Sequence, residues 1–487
     1  MAKYKISVAK GDGIGPEIMD AVLSIFNAAK VDIDYEYVEM GKDVFLKGFN
    51  AGMTPEAERS IESNGILFKG PMETPKGKGM KSINVTARKK WSTFANNRRF
   101  QTLNGVETVY SKAGIPIDIT IIRENIEGTY GGIEHLNTHD VALCRRFITR
   151  PGSAQVHRFA FELARRNGNK SVVCGHKANI MKVTDGMFLE TFYEVAKDYP
   201  DIEAKDVIID DLCMKLVVRP NDYEVVVLTN LQGDIVSDLC AGLVGGLGFA
   251  PSANIGERIS IFEAVHGTAP DIAGKNIANP TSLLLSGIMM LRHLGFYAEA
   301  DSIENSLLYT LETGVHTGDF GDKSIPSVNT TGFAGAIIEN LGKVPANTTP
   351  RKSPAIDYTW QKPAYPAARP MMESPKKAET TLVGADYFFE SNEQADAIAA
   401  KLQPIVPAGF ELQTISNRGT QVWPTGSVLT ECVDHYCARI AKADGSVVTQ
   451  QEVFDIAAKV ASIYFVTSTE MLINIGDVRG FSLAQGQ

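Results

Sequence analysis

Cysteine is scarce in this sequence of 487 residues, and long apolar runs are missing from it. The six cysteines, Cys144, Cys174, Cys213, Cys240, Cys432 and Cys437, are scattered and lack metal-finger spacing, so we expect free thiols in a reducing cytoplasm. The longest apolar stretch, residues 283–291, is far too short to span a bilayer. The first residues enter a strand pattern without a signal-peptide profile, so we expect a cytoplasmic protein.

A basic excess is also missing, because the formal net charge is −9. Nucleic acids and anionic membranes bind basic surfaces, so we expect neither as a partner. A small anionic ligand could still bind where basic residues cluster locally. The length and the hydrophobic content of 44% suggest roughly two to four domains.

Apolar strand patterns alternate with helical patterns through most of the chain. Strands are predicted at 117–122, 171–174, 206–209 and 224–228, and helices at 156–166 and 187–197. This alternation is typical of an α/β fold with a largely parallel sheet. A proline-rich stretch at 343–378 has no apolar period and is predicted to be a linker or an extended arm on the surface.

A separate small domain is predicted after this linker, at 379–487. Its strand and helix patterns follow the order β-α-β-β-α-β, which is the order of a ferredoxin-like α+β module. The strands are predicted at 381–389, 411–415, 420–423 and the C-terminal end, and the helices at 393–402 and 449–463.

Residues 230–238 contain two carboxylates, Asp234 and Asp238, four positions apart behind Gly233. A helix that begins near Asp234 would place both on one face, where they suit Mg²⁺ or Mn²⁺. The buried strand before them predicts a location past the carboxyl end of a strand, where open α/β sheets bind ligands. The alternative is a helix cap followed by a solvated aspartate.

Basic and proton-transferring candidates accompany this pair. Three arginines, Arg88, Arg98 and Arg123, fit carboxylates bidentately, and several together would select a di- or tricarboxylate. Tyr130 and Lys177 are candidates for proton transfer, and Asp210, predicted to close a strand, could join the metal ligands. Taken singly, each of these residues is better explained by an ordinary position on the surface or at the edge of the core. The glycines of residues 10–17 lack the dinucleotide-fold spacing and predict a tight strand-to-helix turn.

Together these motifs resemble the β-decarboxylating dehydrogenases of (2R)-hydroxy acids, over roughly residues 4–342. Residues 222–242 are similar to the signature of that family and residues 261–270 to its cofactor loop. The resemblance implies an isopropylmalate dehydrogenase-like α/β fold, a two-domain sandwich with a central mixed sheet. It implies a large cofactor domain (1–95 and 245–342), a small domain (96–127 and 151–244) and a clasp between subunits (128–150).

The resemblance also implies a role for each candidate residue. Substrate carboxylates would be bound by Ser82, Asn84, Arg88, Arg98 and Arg123, and the metal by Asp210, Asp234 and Asp238. Tyr130 and Lys177 would be catalytic. Because Lys177 and Asp210 would come from the partner subunit, a homodimer with shared active sites is implied, with a higher oligomer left open. The pair Arg98 and Arg99 leaves open which guanidinium reaches the substrate.

Polar Ser82 and Asn84 favour a γ-carboxylate, because the isopropylmalate enzymes have apolar residues in that region. The implied reaction is the oxidative decarboxylation of isocitrate, a tricarboxylate, to 2-oxoglutarate and CO₂ in the tricarboxylic acid cycle. A homoisocitrate, 3-isopropylmalate or tartrate dehydrogenase is the alternative. A non-enzymatic alternative is a silent regulatory subunit, although no proposed catalytic position is missing.

The cofactor loop predicts NAD, with NADP as the alternative. By resemblance, NADP-dependent members have Lys-Tyr where this chain has Asp271-Ile272, and an Asp accepts hydrogen bonds from ribose hydroxyls and repels a phosphate. A loop-capping role for Asp271 is the alternative. The implied cofactor-binding residues are Thr74, Glu263, His266, Gly267, Thr268, Ala269, Asp271, Ile272 and Asn279.

The C-terminal module carries a resemblance of its own. Residues 415–422 are similar to the extra domain of a longer bacterial subgroup within the family. Its function does not follow from that, and an assembly or ligand-sensing role is the hypothesis.

Overall fold

The structure, a computed structural model, describes residues 3–73, 82–353, 372 and 378–483. The chain divides into two compact units. The first unit comprises Met1–Tyr130, Ile148–Lys177 and Phe188–Met371, and the second comprises Gly131–Phe147, Ala178–Met187 and Met372–Gln487. The finer division into cofactor domain, small domain and clasp stays a prediction.

Strands alternate with helices through most of the chain that the structure describes, as the sequence predicts. The strands are β1 (Tyr4–Ala9), β2 (Ile33–Tyr37), β3 (Ile66–Lys69), β4 (Ala95–Gln101), β5 (Asp118–Glu124), β6 (Glu134–Leu136), β7 (Ala142–Cys144), β8 (Ser171–His176), β9 (Glu203–Ile208), β10 (Val225–Leu228), β11 (Pro251–Ile255), β12 (Ser260–Ala264), β13 (Thr380–Glu390), β14 (Phe410–Asn417), β15 (Thr420–Trp423), β16 (His435–Lys442), β17 (Phe465–Ile475) and β18 (Val478–Arg479).

The helices are α1 (Gly15–Ala28), α2 (Lys42–Leu46), α3 (Pro55–Asn64), α4 (Ile83–Lys90), α5 (Val109–Lys112), α6 (Arg150–Asn167), α7 (Thr184–Ala196), α8 (Ile209–Val218), α9 (Asn230–Leu243), α10 (Thr281–Leu294), α11 (Tyr297–Glu312), α12 (Thr330–Glu339), α13 (Ala395–Leu402) and α14 (Gln450–Ala461). None of the described helices is long and apolar enough to cross a membrane.

A ten-stranded mixed sheet organises the first unit, in the order β2-β1-β3-β12-β11-β4-β5-β10-β8-β9. The outer strands on both sides are parallel, whereas β11 runs antiparallel to β12 and β4, and β4 runs antiparallel to β5. Helices such as α1, α10 and α11 bury apolar faces against it. The predicted fold class, α/β with a central mixed sheet, is confirmed.

The second unit contains a six-stranded antiparallel sheet in the order β15-β14-β16-β13-β17-β18. Its four inner strands and the helices α13 and α14 have the chain order and sheet order of a ferredoxin-like module. One prediction within it is wrong. The predicted third strand, 420–423, is only the edge strand β15, and the third core strand is β16, which the sequence analysis missed behind the loop 424–434.

Most of the predicted linker, 343–378, lies outside the described residues. Its first part contacts α11 in the first unit. The backbone N–H of Ala346 donates to the Glu312 carboxylate over 2.7 Å, and Arg351 Nε donates to Glu304 over 2.8 Å. An extended arm lying on the surface was expected, and residues 346–351 follow that path.

His157 on α6 makes a pH-dependent contribution to stability. It is fully buried, its Nε2 lies 3.0 Å from the carbonyl oxygen of Phe188, and its ring packs on Phe188 and Phe192. Burial lowers its pKa from 6.5 to about 3. The folded state therefore resists protonation, so this contribution is complete above pH 6.5 and is lost as the pH falls towards 3.

We expect His157 to make the free energy of unfolding fall by about 1.4 kcal/mol per pH unit in that window. His157→Gln removes the titrating group, so the slope of that free energy against pH should decrease by this amount, whatever the variant's absolute stability. Urea unfolding at several pH values measures it, with the exposed His135→Gln as a control for loss of an imidazole. Equal slopes for wild type and His157→Gln would contradict the assignment.

Candidate active site

The glycine-rich turn between β1 and α1 lies against the loop that follows β12. Gly11 and Gly13 have φ angles of 77° and 61°, in the left-handed region that favours glycine. A Cβ on Gly13 would approach the carbonyl oxygen of Thr268 to 2.0 Å, and Ile14 N–H donates to that oxygen over 2.9 Å. The predicted tight strand-to-helix turn is confirmed, and its glycines permit close contact with the predicted cofactor loop.

Arg98 and Arg123 lie on the same face of the central sheet. The register pairs Arg123 with Asn96, two residues before Arg98, and side chains two apart share a face of a strand. Arg99 points to the opposite face, where its Nε and Nη2 donate to Asp118 over 2.9 and 2.7 Å. Arg98 therefore faces the other candidate residues and Arg99 does not.

Asp234 and Asp238 lie on α9, beside these two arginines. Arg123 is ion-paired with Asp234, and Arg98 lies 3.8 Å from both carboxylates. The prediction that a helix begins near Asp234 is wrong, because α9 already begins at Asn230. Both aspartates still share one face, since their spacing of four residues is that of a helical turn.

Gly233 does not form the turn that was predicted for it. It lies inside α9, and a Cβ there would come within 2.7 Å of the Cβ and Cγ atoms of Arg123. Its missing side chain makes room for that arginine, whose Nε and Nη2 atoms also donate to Asn230 over 3.0 and 2.8 Å. Asn230 is a buried positioning residue that the sequence analysis missed.

The charges in this cluster perturb one another. Burial, followed by the neighbouring charges of Arg123 and Arg88, lowers the pKa of Arg98 to about 10. Burial alone would raise the pKa of Asp234, but the charge of Arg123 and a hydrogen bond from Tyr130 hold it below its ordinary value. Burial raises the pKa of Asp238. The site is cationic inside an acidic protein.

Tyr130 is hydrogen-bonded to one carboxylate of the Asp234 and Asp238 pair. Its hydroxyl donates to Asp234 Oδ2 over 2.6 Å, and the Arg123 guanidinium carbon lies 4.9 Å from the centre of its ring. Lys89 Nζ donates to its backbone oxygen over 2.5 Å. Burial, followed by the hydrogen bond to Asp234, raises the pKa of the phenol, so the hydroxyl holds its proton at neutral pH.

Lys177 and Asp210 form a second group. They are ion-paired with each other, and the hydrogen bond from Lys177 lowers the pKa of Asp210. Asp210 was predicted to close a strand, but it lies in the first turn of α8, because β9 ends at Ile208. Within the part of the chain that is described, no three His, Cys, Asp or Glu side chains converge to hold a metal. Asp210 therefore does not form a three-carboxylate metal site with Asp234 and Asp238 of the same chain.

Arg88 is held by a buried ion-pair network. Its Nη2 donates to Glu263 over 2.7 Å, while Lys69 lies 2.6 Å from the other oxygen and Asn254 donates over 2.8 Å. Lys69 is 1% exposed and Glu263 is 3% exposed. Burial lowers the pKa of Lys69, and the charges of Lys69 and Arg88 outweigh burial to hold the pKa of Glu263 well below its usual range. The sequence analysis missed Lys69. A lysine at the end of an apolar strand was the feature that could have indicated it.

Ser82 and Asn84 lie at the start of α4, the helix that carries Arg88. Ser82 caps the helix, its Oγ accepting from Val85 N–H over 3.5 Å. The Oδ1 atom of Asn84 is buried and has no hydrogen-bond partner among the described residues. The Nε atoms of Arg88 and Arg98 are in the same condition. These unsatisfied polar atoms suit a bound polar ligand, because buried groups of this kind normally find a partner.

The predicted cofactor residues of the loop after β12 lie together. Ala269 has a φ of 40°, and Asp271 and Ile272 follow it in a short 3₁₀ turn, where Asp271 is exposed. Burial lowers the pKa of His266, whose Nδ1 lies 3.0 Å from the oxygen of Gly267. Asn279 donates to Asp319 over 3.1 Å. Thr74 lies outside the described residues.

The donor set fits a divalent metal. Asp234 and Asp238 offer hard carboxylate oxygens on one helix face, which Mg²⁺ and Mn²⁺ prefer, and Asp238 is 61% exposed. One subunit supplies two such ligands, so the remaining positions are left for substrate oxygens, water or a second chain.

Two family models match this chain. The model described as isocitrate/isopropylmalate dehydrogenase matches residues 5–337, and the one described as bacterial isocitrate dehydrogenase, C-terminal domain, matches residues 380–487. The chain belongs to the isocitrate/isopropylmalate dehydrogenase family. Membership of the longer bacterial subgroup of this family, predicted from residues 415–422, is also confirmed.

Three members of the family show the extent of the similarity. An NADP isocitrate dehydrogenase of Thermus thermophilus is 45% identical over 99% of this chain and 96% of its own, and one of Rickettsia conorii is 40% identical over the full length of both. A regulatory subunit of the NAD isocitrate dehydrogenase of Dictyostelium discoideum is 48% identical over 70% of this chain and 93% of its own. The names of these relatives therefore include both cofactors.

Solved structures in the family agree on the fold. A crystal structure of a Thermus thermophilus protein covers 99% of this chain and 96% of its own, with a TM-score of 0.90 and 45% identity. The isocitrate dehydrogenase of Methylococcus capsulatus covers 69% of this chain and 99% of its own, with a TM-score of 0.66 and 42% identity.

Proposed function

We propose that this chain is a metal-dependent isocitrate dehydrogenase that converts isocitrate to 2-oxoglutarate and CO₂ with hydride transfer to NAD. One observation carries the proposal. Arg98 and Arg123 lie next to Asp234 and Asp238, and Arg88 and Arg98 both have a buried Nε with no partner among the described residues. Such a cationic cluster beside a carboxylate pair suits a polycarboxylate bound together with a metal.

The choice of isocitrate rests on α4. Ser82 and Asn84 are polar, and the Asn84 amide has a buried oxygen without a partner among the described residues. The Asn84 amide N–H can donate to a γ-carboxylate, and the amide oxygen can accept from a water held by that carboxylate, whereas an apolar isopropyl group offers the amide no polar partner. The matched family is consistent with isocitrate, and homoisocitrate, 3-isopropylmalate and tartrate are the competing substrates to test.

The residues divide the proton transfers between them. Lys177, ion-paired with Asp210, relays the proton of the C2 hydroxyl away, passing a proton to the aspartate as it accepts the hydroxyl proton, while the hydride leaves C2 for the nicotinamide. The bond from C3 to the departing carboxylate then breaks, releasing CO₂ and leaving the electron pair on the substrate. Tyr130, whose phenol is protonated at neutral pH, gives its proton to C3. Mg²⁺ or Mn²⁺, when bound by Asp234 and Asp238, supplies Lewis acidity at the substrate oxygens.

NAD is favoured over NADP by charge. Asp271 is exposed on the 3₁₀ turn beside Ile272, where a carboxylate accepts from ribose hydroxyls and repels a 2′-phosphate. NADP is the alternative cofactor, because two of the similar relatives are named as NADP enzymes. The test below therefore measures the rate with both cofactors.

A homodimer with shared active sites is the proposed assembly. The helices α8 and α9, next to the candidate site, expose apolar side chains that a second copy would cover: Met214, Val217, Val218, Leu231 and Ile235. In this arrangement Lys177 and Asp210 complete the site of the partner, as the resemblance implies. The role of the C-terminal module in assembly or ligand sensing stays a hypothesis.

Initial rates test the proposed function. D-isocitrate with Mn²⁺ or Mg²⁺ is compared with homoisocitrate, 3-isopropylmalate and tartrate, each with NAD and with NADP, and with chelator added. We expect metal-dependent reduction of NAD with isocitrate. Preference for NADP would refute only the cofactor choice, whereas activity with another acid would refute the substrate, and a complete absence of activity would favour a silent regulatory subunit.

Mixing two inactive variants tests the shared site. Lys177→Met and Asp234→Asn, unfolded and refolded together, form hybrids with one intact site each if the two residues act across the interface. About one quarter of wild-type activity should then return, because half of the dimers are hybrids and each has one intact site of two. Each variant refolded alone is the control, and no recovery in a dimer confirmed by light scattering would place both residues in one subunit's site.

Arg98→Lys tests the arginine cluster. Lysine keeps the charge but loses the planar fork, so kcat/KM for isocitrate should fall about 10- to 100-fold. The matched control is Arg99→Lys, the neighbour whose guanidinium is bound to Asp118 on the opposite face, and its kcat/KM should stay near that of wild type. Equal losses in the two variants would contradict the assignment of Arg98.

A further inference from the structure

The central sheet has a second polar face, behind the candidate active site. The strands β4, β11 and β12 carry Arg98, Asn254 and Glu263 on the face described above. The residues between them, such as Asn97, Ala253 and Phe262, point to the opposite face because strand side chains alternate. The two faces are therefore separated only by the thickness of the sheet.

A cavity of about 550 Å³ lies on this second face. Its floor contains Asn97, Ala253 and Phe262, and the helices α6, α10 and α11 contribute to its walls. This volume lies within the range of small-molecule sites in proteins. None of the residues assigned above to substrate, metal or cofactor lines it.

The cavity is cationic. Five basic side chains line it, Arg99, Arg166, Arg292, Arg351 and Lys352, against the three carboxylates Glu162, Asp301 and Glu304. The net charge of the whole chain is −9, so this local excess of positive charge runs against the composition. A cavity of this sign concentrates anions.

Two of the five cations are available to a ligand. Arg99 is bound to Asp118, Arg292 to Asp301 and Glu304, and Arg351 to Glu304, at 2.6–2.8 Å. Neither Arg166 nor Lys352 has a carboxylate within 4.0 Å in the described part of the chain, and both are exposed at the rim. An anionic group beside either of them meets a positive charge that forms no ion pair with a described carboxylate.

The rest of the wall is apolar and contains one unsatisfied amide. The apolar side chains include Phe159, Leu163, Ile288 and Met289. The Oδ1 atom of Asn97 is buried without a hydrogen-bond partner among the described residues. A ligand with an N–H or O–H next to an apolar body would satisfy this oxygen while burying its rings or branches.

We propose that this cavity is a binding site for a small organic anion with an aromatic or branched apolar body and a hydrogen-bond donor. Arg166 and Lys352 bind the anionic group, and the Phe159 and Met289 side of the wall holds the apolar body. The site goes beyond the proposed reaction, because it lies on the other face of the sheet and uses none of its residues.

Anilinonaphthalene sulfonate is a suitable probe, since it combines a sulfonate, aromatic rings and an N–H and becomes fluorescent in apolar surroundings. Fluorescence titration of the full-length chain should give saturable binding. Arg166→Glu and, separately, Lys352→Glu should each weaken it at least about 10-fold, because like charges would then face the sulfonate. Both residues are exposed, so the fold should be retained.

The matched control is Arg158→Glu, which reverses the same charge on the same helix outside the cavity, and it should leave the affinity unchanged. Saturating isocitrate and NAD should not displace the probe. Unchanged affinity in both Arg166→Glu and Lys352→Glu, or displacement by NAD, would overturn the proposal. None of these readouts depends on turnover, so they are independent of the proposed function.

Discussion

The double replacement Asp271→Lys and Ile272→Tyr is expected to reverse the cofactor preference from NAD to NADP. Asp271 is an exposed carboxylate on a 3₁₀ turn, next to a loop held against the glycine turn by the Ile14–Thr268 hydrogen bond. Lysine and tyrosine there would form charge-assisted and phenolic hydrogen bonds to the 2′-phosphate. At about 1.5–3 kcal/mol for a hydrogen bond to a charged group, kcat/KM for NADP should rise about 100-fold.

Initial rates with varied NAD and NADP at saturating isocitrate measure this change. Asp271→Asn is the matched control, because it removes the repelling charge without adding a cation, so NADP use should rise much less than in the double variant. The KM for isocitrate should stay the same in all three proteins. A wild type that already prefers NADP, or a double variant with unchanged preference, would show that Asp271 does not select the cofactor.

Lys177→Met is expected to lower kcat by about 100- to 10,000-fold, the range attributed to a positioned proton-transfer group. Lys177 follows β8 and is ion-paired with Asp210, and in our proposal the arginines bind the substrate carboxylates. Methionine has a similar length but no amino group to transfer a proton. The affinity for isocitrate should therefore change little. Steady-state kinetics give kcat, and calorimetry with isocitrate and Mg²⁺ gives the affinity.

Lys170→Met is the control for this variant. Lys170 is an exposed lysine that precedes the other end of β8, so its replacement removes the same charge next to the same strand without reaching the site. Its kcat should equal that of wild type. A retained rate in Lys177→Met would remove Lys177 from the mechanism, and an equal loss of isocitrate affinity and kcat would instead indicate that it binds the substrate.

Several features of the candidate site were accessible from the chain alone. The spacing of Asp234 and Asp238 placed both on one helix face even though the predicted start of α9 was wrong, because a spacing of four residues has this effect anywhere in a helix. Short apolar runs likewise located the strands β5 and β10 near their true bounds. Local periodicity is a property of neighbouring residues, and it therefore survives errors in boundaries.

Other features depend on contacts between distant parts of the chain. The adjacent residues Arg98 and Arg99 are alike in sequence, and only the pairing of β4 with β5 and β11 decides that one faces Asp234 and the other Asp118. The strand β16 was missed for a related reason, because its partners β13 and β14 are far from it in the chain.

The sequence by itself determined the α/β class, the negative net charge, the carboxylate pair and the residues that carry the family resemblance. The tertiary structure decided which arginine joins that pair, why Gly233 lacks a side chain, how Lys69 and Glu263 hold Arg88, and that a cationic cavity lies behind the sheet. The physical reason is that alternation fixes which residues share a face, whereas strand pairing and burial decide what each face meets.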